Sequence, residues 1–236
     1  DGIILFSWRD FTNCLEGDTS EITPLQVYKP HFSSHNIEIN AFDMDRDLHI
    51  YGASGDGFCY KWDTETEGLL QTYPSSKRGY LHTVKILPNS SHLLMGGEDG
   101  TIGMWDTKQD KLIDSLDVKE ELKGKLESNQ SLWISHIDAA NTSKHWWSVC
   151  GGASPRVGNK GGFLATWHAP TRSMFSQCIT REAPQQIKFY ENHIVSVADE
   201  GVVSYWKSPS CNRQQRVWCS PPSSYAVSIR DDGLTA

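Results

Sequence analysis

A Gly-to-Trp motif recurs along the 236-residue chain and constrains its fold more than any other feature. In each copy a tight turn containing Gly is followed by a short β-type run, and a Trp stands five residues after the Gly. Four copies end in Trp62, Trp105, Trp167 and Trp206, and a looser copy ends in Trp8. Consecutive copies lie 39–62 residues apart, close to the spacing of ~40–45 residues typical of four-stranded propeller blades. The chain is therefore expected to form a β-propeller.

The residues around each motif predict the four strands of a blade. Gly supplies the positive φ that a tight hairpin turn requires, and the side chains of the following run point alternately to opposite faces of a strand. Around Trp105, strands are expected at 81–87, 92–97 and 111–118, in addition to the strand of the motif itself. The same pattern predicts complete blades near 37–73, 81–118, 131–179 and 184–218, and a last inner strand at 225–229.

The predicted fold class is all-β, a WD40 β-propeller present as an open arc of about five blades. An open arc leaves unpaired strands at both edges, which propellers avoid by closing into a ring. The chain also begins in mid-motif, at Asp1. We therefore expect residues 1–236 to be a single propeller domain truncated at both ends. The repeated Trp residues should occupy equivalent, largely buried positions.

Composition narrows the classes of partner. The 22 basic and 29 acidic residues give a net charge of −7, and the basic residues are scattered, whereas nucleic-acid binders present a basic patch or stripe. We therefore expect RNA to be met only indirectly. No apolar run reaches the ~18 residues of a membrane span, and no membrane partner is expected. The six cysteines lack C-x-x-C spacing, which favours a reducing compartment.

The candidate metal and catalytic patterns are incomplete. His31 and His35 have metal-like spacing but no third ligand nearby. The run Asp43–Asp47 begins like a calcium loop, but its sixth position is Leu48 and its twelfth is Ser54, where such loops need Gly and a bidentate Glu. We interpret it as an acidic turn between two strands. Without a nucleophile elbow, a Walker loop or a zincin motif, we predict no enzyme, no metal and no cofactor.

Several segments resemble the THO complex subunit 6 family of WD40 proteins. The resemblance covers roughly residues 80–230 and rests on Met95–Gly100 with Trp105-Asp106, Trp133-Ile134, Val149–Gly152 with Trp167-His168, Ala183–Gln185, Phe189-Tyr190 and Trp206. It implies a seven-bladed ring and a non-enzymatic, nuclear scaffold subunit of the THO/TREX mRNA-export assembly. It also implies docking on other THO subunits, notably the coiled-coil pair of subunits five and seven.

One departure from the WD40 pattern bears on stability. Many blades carry Gly-His before the inner strand, but this chain has Lys77-Arg78-Gly79-Tyr80. Without that His, the His–Ser–Asp–Trp hydrogen-bond relay cannot form around Asp99 and Trp105. The blade is expected to depend on packing instead.

Two other functional classes stay open. Trp105–Lys108 approaches the W-D-x-R pattern of WD40 substrate receptors of cullin-type ubiquitin ligases, with Lys in place of Arg. The two residues are not interchangeable at a bidentate site. A propeller hydrolase or lactonase would need a carboxylate-rich central metal site.

The predicted partner-binding surface is the rim formed by the loops before the inner strands. It would present Lys77, Arg78 and Tyr80 from one blade, Trp133 from the next and Arg181 from the one after. Arg and aromatic side chains are enriched at interface hot spots. The alternative is that Trp133 belongs to the core and that Lys77 and Arg78 are merely solvated.

Overall fold

The computed structural model describes residues 2–17, 22–30, 37–77, 79–126, 129–141, 145–157, 160–219, 223–230 and 233–235. Within them, four four-stranded antiparallel sheets follow one another along the chain, with one two-stranded sheet before them and one after. Strands that are consecutive in sequence are neighbours in each sheet. Every blade is therefore a meander, and the predicted WD40 propeller fold is confirmed.

The amino-terminal segment differs from the prediction. Strand β1 (Ile3–Leu5), helix α1 (Trp8–Glu16) and strand β2 (Gln26–Tyr28) follow in order, and the two strands pair. Trp8 is the first residue of α1 and is 76% exposed, so its assignment to the strand repeat is wrong. The physical reason is a local cap, because Ser7 Oγ accepts a hydrogen bond from the backbone N–H of Asp10 and starts a helix at this point.

The four blades lie close to their predicted boundaries. The first blade consists of β3 (Ile39–Met44), β4 (His49–Ser54), β5 (Phe58–Asp63) and β6 (Leu69–Pro74). The second consists of β7 (Leu81–Ile86), β8 (His92–Gly97), β9 (Thr101–Asp106) and β10 (Lys111–Asp117), and is followed by helix α2 (Val118–Glu121). The third consists of β11 (Ser131–Ala139), β12 (Trp146–Val157), β13 (Lys160–His168) and β14 (Ser173–Thr180). The fourth consists of β15 (Pro184–Tyr190), β16 (His193–Ala198), β17 (Val202–Lys207) and β18 (Asn212–Trp218).

The four repeated Trp residues occupy equivalent places in the third strand of each blade. Each pairs with the corresponding residue of the second strand and adjoins an irregularity in the pairing with the fourth strand. Trp62, Trp167 and Trp206 are buried. Trp105 is only partly buried and meets the buried Tyr73 ring of the preceding blade edge-on at 5.4 Å. The expected burial is thus confirmed for three of the four.

The core lies between adjacent blades, and α2 contributes to it. The largest cluster joins the second and third blades and includes Trp147 stacked on Trp167, with ring centroids 4.9 Å apart. Val118 and Leu122 are fully buried in this cluster. The strand expected at 111–118 ends one residue early, at Asp117, and Val118 begins α2 instead. Residues four apart share one face of a helical turn, so Val118 and Leu122 are buried together.

The carboxy-terminal segment is partly as predicted. Instead of one strand at 225–229, the structure has β19 (Ser228–Arg230) paired with β20 (Gly233–Thr235). Val227 is nevertheless buried against the fourth blade, and its N–H donates to Gln186 Oε1 of β15. An equivalent bond between neighbouring inner strands runs from Ile137 N–H to Thr83 Oγ1.

Candidate partner-binding surface

Two rims of the propeller follow from the meander topology. Among the described residues, the upper rim comprises the loops before the inner strands (75–77, 79–80, 118–126, 129–130 and 181–183) and the turns between second and third strands (55–57, 98–100 and 199–201). Backbone hydrogen bonds join the two sets, including Glu98 N–H to the Tyr80 carbonyl and Ser75 N–H to the Gly57 carbonyl. The lower rim comprises the remaining turns of each blade. Of the predicted contact residues that the structure describes, Lys77, Tyr80 and Arg181 belong to the upper rim, whereas Trp133 lies near the start of β11.

Lys77 is exposed, but its charge already has a partner. Its Nζ lies 3.1 Å from Asp117 Oδ2, and Asp117 caps α2 by accepting from the N–H groups of Lys119 and Glu120. Burial would raise the pKa of Asp117, but the hydrogen bonds from Lys77 and from these N–H groups outweigh it and lower the pKa. Arg78 lies outside the described residues. The Lys77 side chain therefore faces solvent and also links its own loop to the start of α2.

Tyr80 is the exposed aromatic of the upper rim. Its side chain is 59% exposed, and its ring packs beside Gly55 of the first blade, where an added Cβ would lie 3.3 Å from Tyr80 Cδ1. The ring borders a cavity of about 560 Å³ between the first and second blades, lined in part by Glu38 and Asp56. An aromatic edge beside two acidic side chains suits a partner with apolar and basic groups.

Trp133 is half-buried within its own blade. A Cβ added at Gly152 would lie 1.8 Å from Trp133 Cζ2, so the indole ring occupies the space above Gly152 of the neighbouring strand. It is neither a freely exposed anchor nor a member of the main clusters between blades. Only a small part of the Trp133 ring is therefore available to a partner at the rim.

Arg181 is exposed but lies apart from Tyr80. It lines a different cavity, between the third and fourth blades, together with Arg213 and Arg216 of β18. The structure thus keeps Lys77 and Tyr80 together in one loop and places Arg181 in a second site. A single continuous patch of the five residues remains a prediction.

The hydrogen-bond relay is missing from the second blade, as predicted. Asp99 Oδ1 accepts from the N–H and the hydroxyl of Thr101. Asp99 Oδ2 and Trp105 Nε1 are buried without a hydrogen-bond partner among the described residues. In the fourth blade, by contrast, Trp206 Nε1 donates to Ser196 Oγ at 2.9 Å.

Sequence reasoning missed a set of charges on the inner strands. Asp43, Lys85, Asp138 and Lys188 occupy matching register positions on β3, β7, β11 and β15 and alternate in sign. Lys85 Nζ lies 3.2 Å from Asp43 Oδ2 and 3.5 Å from Asp138 Oδ1. Burial would lower the pKa of Lys85, but the two carboxylates raise it. The Lys85 ammonium therefore joins side chains of three blades. The alternating signs of these charges along the inner strands are the sequence feature that could have revealed the set.

Each of the two carboxylates that contact Lys85 also accepts a hydrogen bond from the backbone of the next inner strand. Asp43 Oδ2 accepts from the Ile86 N–H at 2.9 Å, and Asp138 Oδ2 accepts from the Phe189 N–H at 2.8 Å. His136 lies nearby, and burial together with Lys188 and Lys85 lowers its pKa to about 3. It is therefore neutral at neutral pH.

The acidic run on the lower rim forms the turn between β3 and β4, as predicted. Asp45, Asp47 and His49 could together approach a metal ion. However, Asp45 already accepts from the His49 N–H, from His49 Nδ1 and from the Tyr51 hydroxyl. Burial raises the pKa of Asp45, and these bonds outweigh it and lower the pKa. His31 and His35, the other metal candidates, lie outside the described residues.

The Trp105–Lys108 segment ends β9 in a tight turn. Asp106 Oδ1 accepts from the Lys108 N–H at 2.8 Å and from Ser91 Oγ at 3.1 Å. The Lys108 side chain is exposed on the lower rim. The Asp106 carboxylate of the W-D-x-R-like motif therefore stabilises the turn that follows β9.

Comparison with known proteins agrees with the repeat and the fold. THO complex subunit 6 of Arabidopsis thaliana is 29% identical over 204 residues, which cover 84% of this chain and 49% of that protein. The chain is a WD40 β-propeller similar to THO complex subunit 6. Human THO complex subunit 6 is 25% identical over 171 residues, which cover 72% of this chain and 46% of that protein. The chain spans about half the length of these THO complex subunit 6 relatives.

More distant similarities concern the fold alone. Small ribosomal subunit protein RACK1 of Neurospora crassa is 34% identical over 65 residues, 28% of this chain and 21% of that protein. The crystal structure of the computationally designed Ika8 protein superposes with a TM-score of 0.64 at 16% identity, covering 88% of this chain and 56% of that one. No protein-family model matches the sequence. Among the described residues, no helix has the length and apolar character needed to cross a bilayer.

Proposed function

We propose that this chain acts as a non-enzymatic scaffold subunit of a THO/TREX assembly in the nucleus. In this role it supports mRNA processing and export through protein contacts. The observation that carries the proposal is the similarity to THO complex subunit 6, which extends over 84% of the chain. The proposed partners are other THO subunits, notably the coiled-coil subunits five and seven.

The working surface in this proposal is the upper rim around Tyr80. The exposed Tyr80 ring lies beside a cavity edged by Glu38 and Asp56, and Lys77 with Asp117 orders the neighbouring loop. Coiled-coil helices carry charged side chains, often Lys and Glu, at the positions that flank their apolar seam. An aromatic anchor flanked by carboxylates can receive the apolar and the basic side chains of such a helix.

The test is capture of recombinant subunits five and seven by the tagged chain. The Arg78→Ala/Tyr80→Ala variant should lose about tenfold or more of the captured protein, since one aromatic hot spot contributes ~2 kcal/mol or more. Phe175→Ala is the matched control, because Phe175 is 59% exposed, as Tyr80 is, and lies on the outer strand β14 rather than in an upper-rim loop. It should capture as wild type does, and both variants should keep the wild-type melting temperature.

Two results would redirect the proposal. Wild-type capture by the Arg78→Ala/Tyr80→Ala variant would exclude this part of the upper rim and point to the lower rim. Co-purification with a cullin-ligase adaptor, in place of THO subunits, would select the substrate-receptor alternative.

A further inference from the structure

A cleft between the third and fourth blades gathers three arginines that are distant in sequence. Arg181 lies in the loop after β14, whereas Arg213 and Arg216 lie on β18. They line a cavity of about 570 Å³. All nine lining residues are described, and none is acidic, although the whole chain has a net charge of −7. The cleft is therefore a local positive site on an acidic protein.

Two of the three charges are available to a ligand. The Arg216 guanidinium donates to Glu182 Oε1, and the Glu182 side chain is only 4% exposed, so this charge is compensated. Arg181 and Arg213 are exposed, and neither forms an ion pair with a described residue. The Arg213 Cζ lies 5.7 Å from the centre of the Trp206 ring, a contact that leaves its charge uncompensated. The two arginines therefore give the lining of the cleft a net charge of about +2.

An exposed indole stands beside these charges. Trp218 follows Arg216 by two residues on β18 and is 62% exposed. The Arg216 Cζ lies 4.3 Å from the centre of the Trp218 ring, and Arg216 is itself held by Glu182. The cation–π contact and the ion pair together position a flat aromatic surface next to the basic cleft.

We propose that this cleft binds single-stranded RNA. Arg181 and Arg213 would contact backbone phosphates, and a base would stack on Trp218. Basic grooves with adjacent aromatic platforms bind single strands in this way, largely independently of sequence. An acidic peptide would satisfy the arginines but would bring no π-face to cover Trp218. The proposal is independent of the scaffold role, and it replaces the expectation of indirect RNA contact, because that expectation took the basic residues to be scattered.

The assay is fluorescence anisotropy of the purified full chain with a labelled oligouridine about 12 nucleotides long, titrated from about 50 mM KCl upward. The Arg181→Ala/Arg213→Ala variant should weaken binding at least about tenfold. It should also flatten the plot of log K against log salt by about 1.4, because each phosphate contact on a single strand contributes ~0.7 to the slope. Trp218→Ala should weaken binding about fivefold or more without changing that slope.

The matched control removes the same two charges from the lower rim. Arg46→Ala/Lys108→Ala alters two exposed cations of the lower-rim turns and should leave the affinity within about twofold, because neither residue lines the cleft. Thermal unfolding of each variant checks that the blades remain intact.

Three outcomes would overturn the proposal. One is no oligouridine binding by the wild-type chain at low salt. The second is an equal loss in the cleft and control variants, which would mean nonspecific attraction. The third is binding of an oligoglutamate peptide that matches or exceeds that of RNA and is unaffected by Trp218→Ala, which would assign the cleft to acidic proteins. Capture of THO subunits should be unchanged in Trp218→Ala, which alters none of the predicted rim residues.

Discussion

Replacing Lys85 by Met should destabilise the propeller far more than the loss of an exposed surface charge does. The change keeps the length of the side chain but removes the ammonium shared by Asp43 and Asp138. Breaking a buried ion pair on one side costs ~3–5 kcal/mol. Lys85 and Asp43 are 21% and 23% exposed, and Asp138 is 7% exposed. Water will therefore solvate part of the exposed charge, and we expect a loss of about 2–3 kcal/mol in the free energy of unfolding.

The measurement is urea and thermal unfolding followed by tryptophan fluorescence. For a chain of this size, 1 kcal/mol shifts the melting temperature by roughly 2–4 °C, so Lys85→Met should melt about 5–10 °C lower than wild type. Lys111→Met is the control, because Lys111 is exposed on the outer strand β10 of the same blade. It should stay within about 0.5 kcal/mol.

The pH dependence gives a second readout of the same bridge. The pKa of Lys85 is raised above 10.5 in the folded chain, so its contribution is fully present below the unfolded-state pKa and is lost as pH rises through the folded-state value. The stability difference between wild type and Lys85→Met should be constant up to about pH 10 and then narrow. If Lys85→Met and Lys111→Met unfold alike at neutral pH, the bridge between blades is not a stabilising contact.

Two further predictions concern the repeat. Trp206→Phe should cost about 1 kcal/mol more than Trp105→Phe in urea unfolding, because only Trp206 donates a hydrogen bond, to the buried Ser196; equal losses would contradict this. Gly152→Ala should destabilise by about 1–3 kcal/mol, because its Cβ would overlap the Trp133 ring. In the presence of Trp133→Ala that loss should largely vanish, and strictly additive effects in this double-mutant cycle would refute the packing argument.

The candidate surface could be predicted only in part. Tyr80 and Arg181 are exposed, as a position in a loop before an inner strand implies. The ion pair of Lys77 with Asp117 could not be anticipated, because its partners lie 40 residues apart and meet only when the loop after β6 reaches the end of β10. Trp133 was ambiguous in sequence, since packing on Gly152 depends on the register between β11 and β12.

The sequence alone determined the repeat. Turn chemistry and strand alternation act over a few residues, so the Gly-to-Trp spacing was enough to place β7, β8, β9 and β10 to within a residue of their observed ends. The absence of the relay around Asp99 was also readable, because the missing His is a local feature of the motif.

Tertiary structure decided what adjacent blades bring together. The alternating charges around Lys85, the buried face of α2 and the arginine cleft all join residues from different blades. Their spacing in sequence varies with loop length, whereas their spacing in space is set by the contact between neighbouring sheets. Only packing can therefore convert scattered charges into a bridge or a binding site.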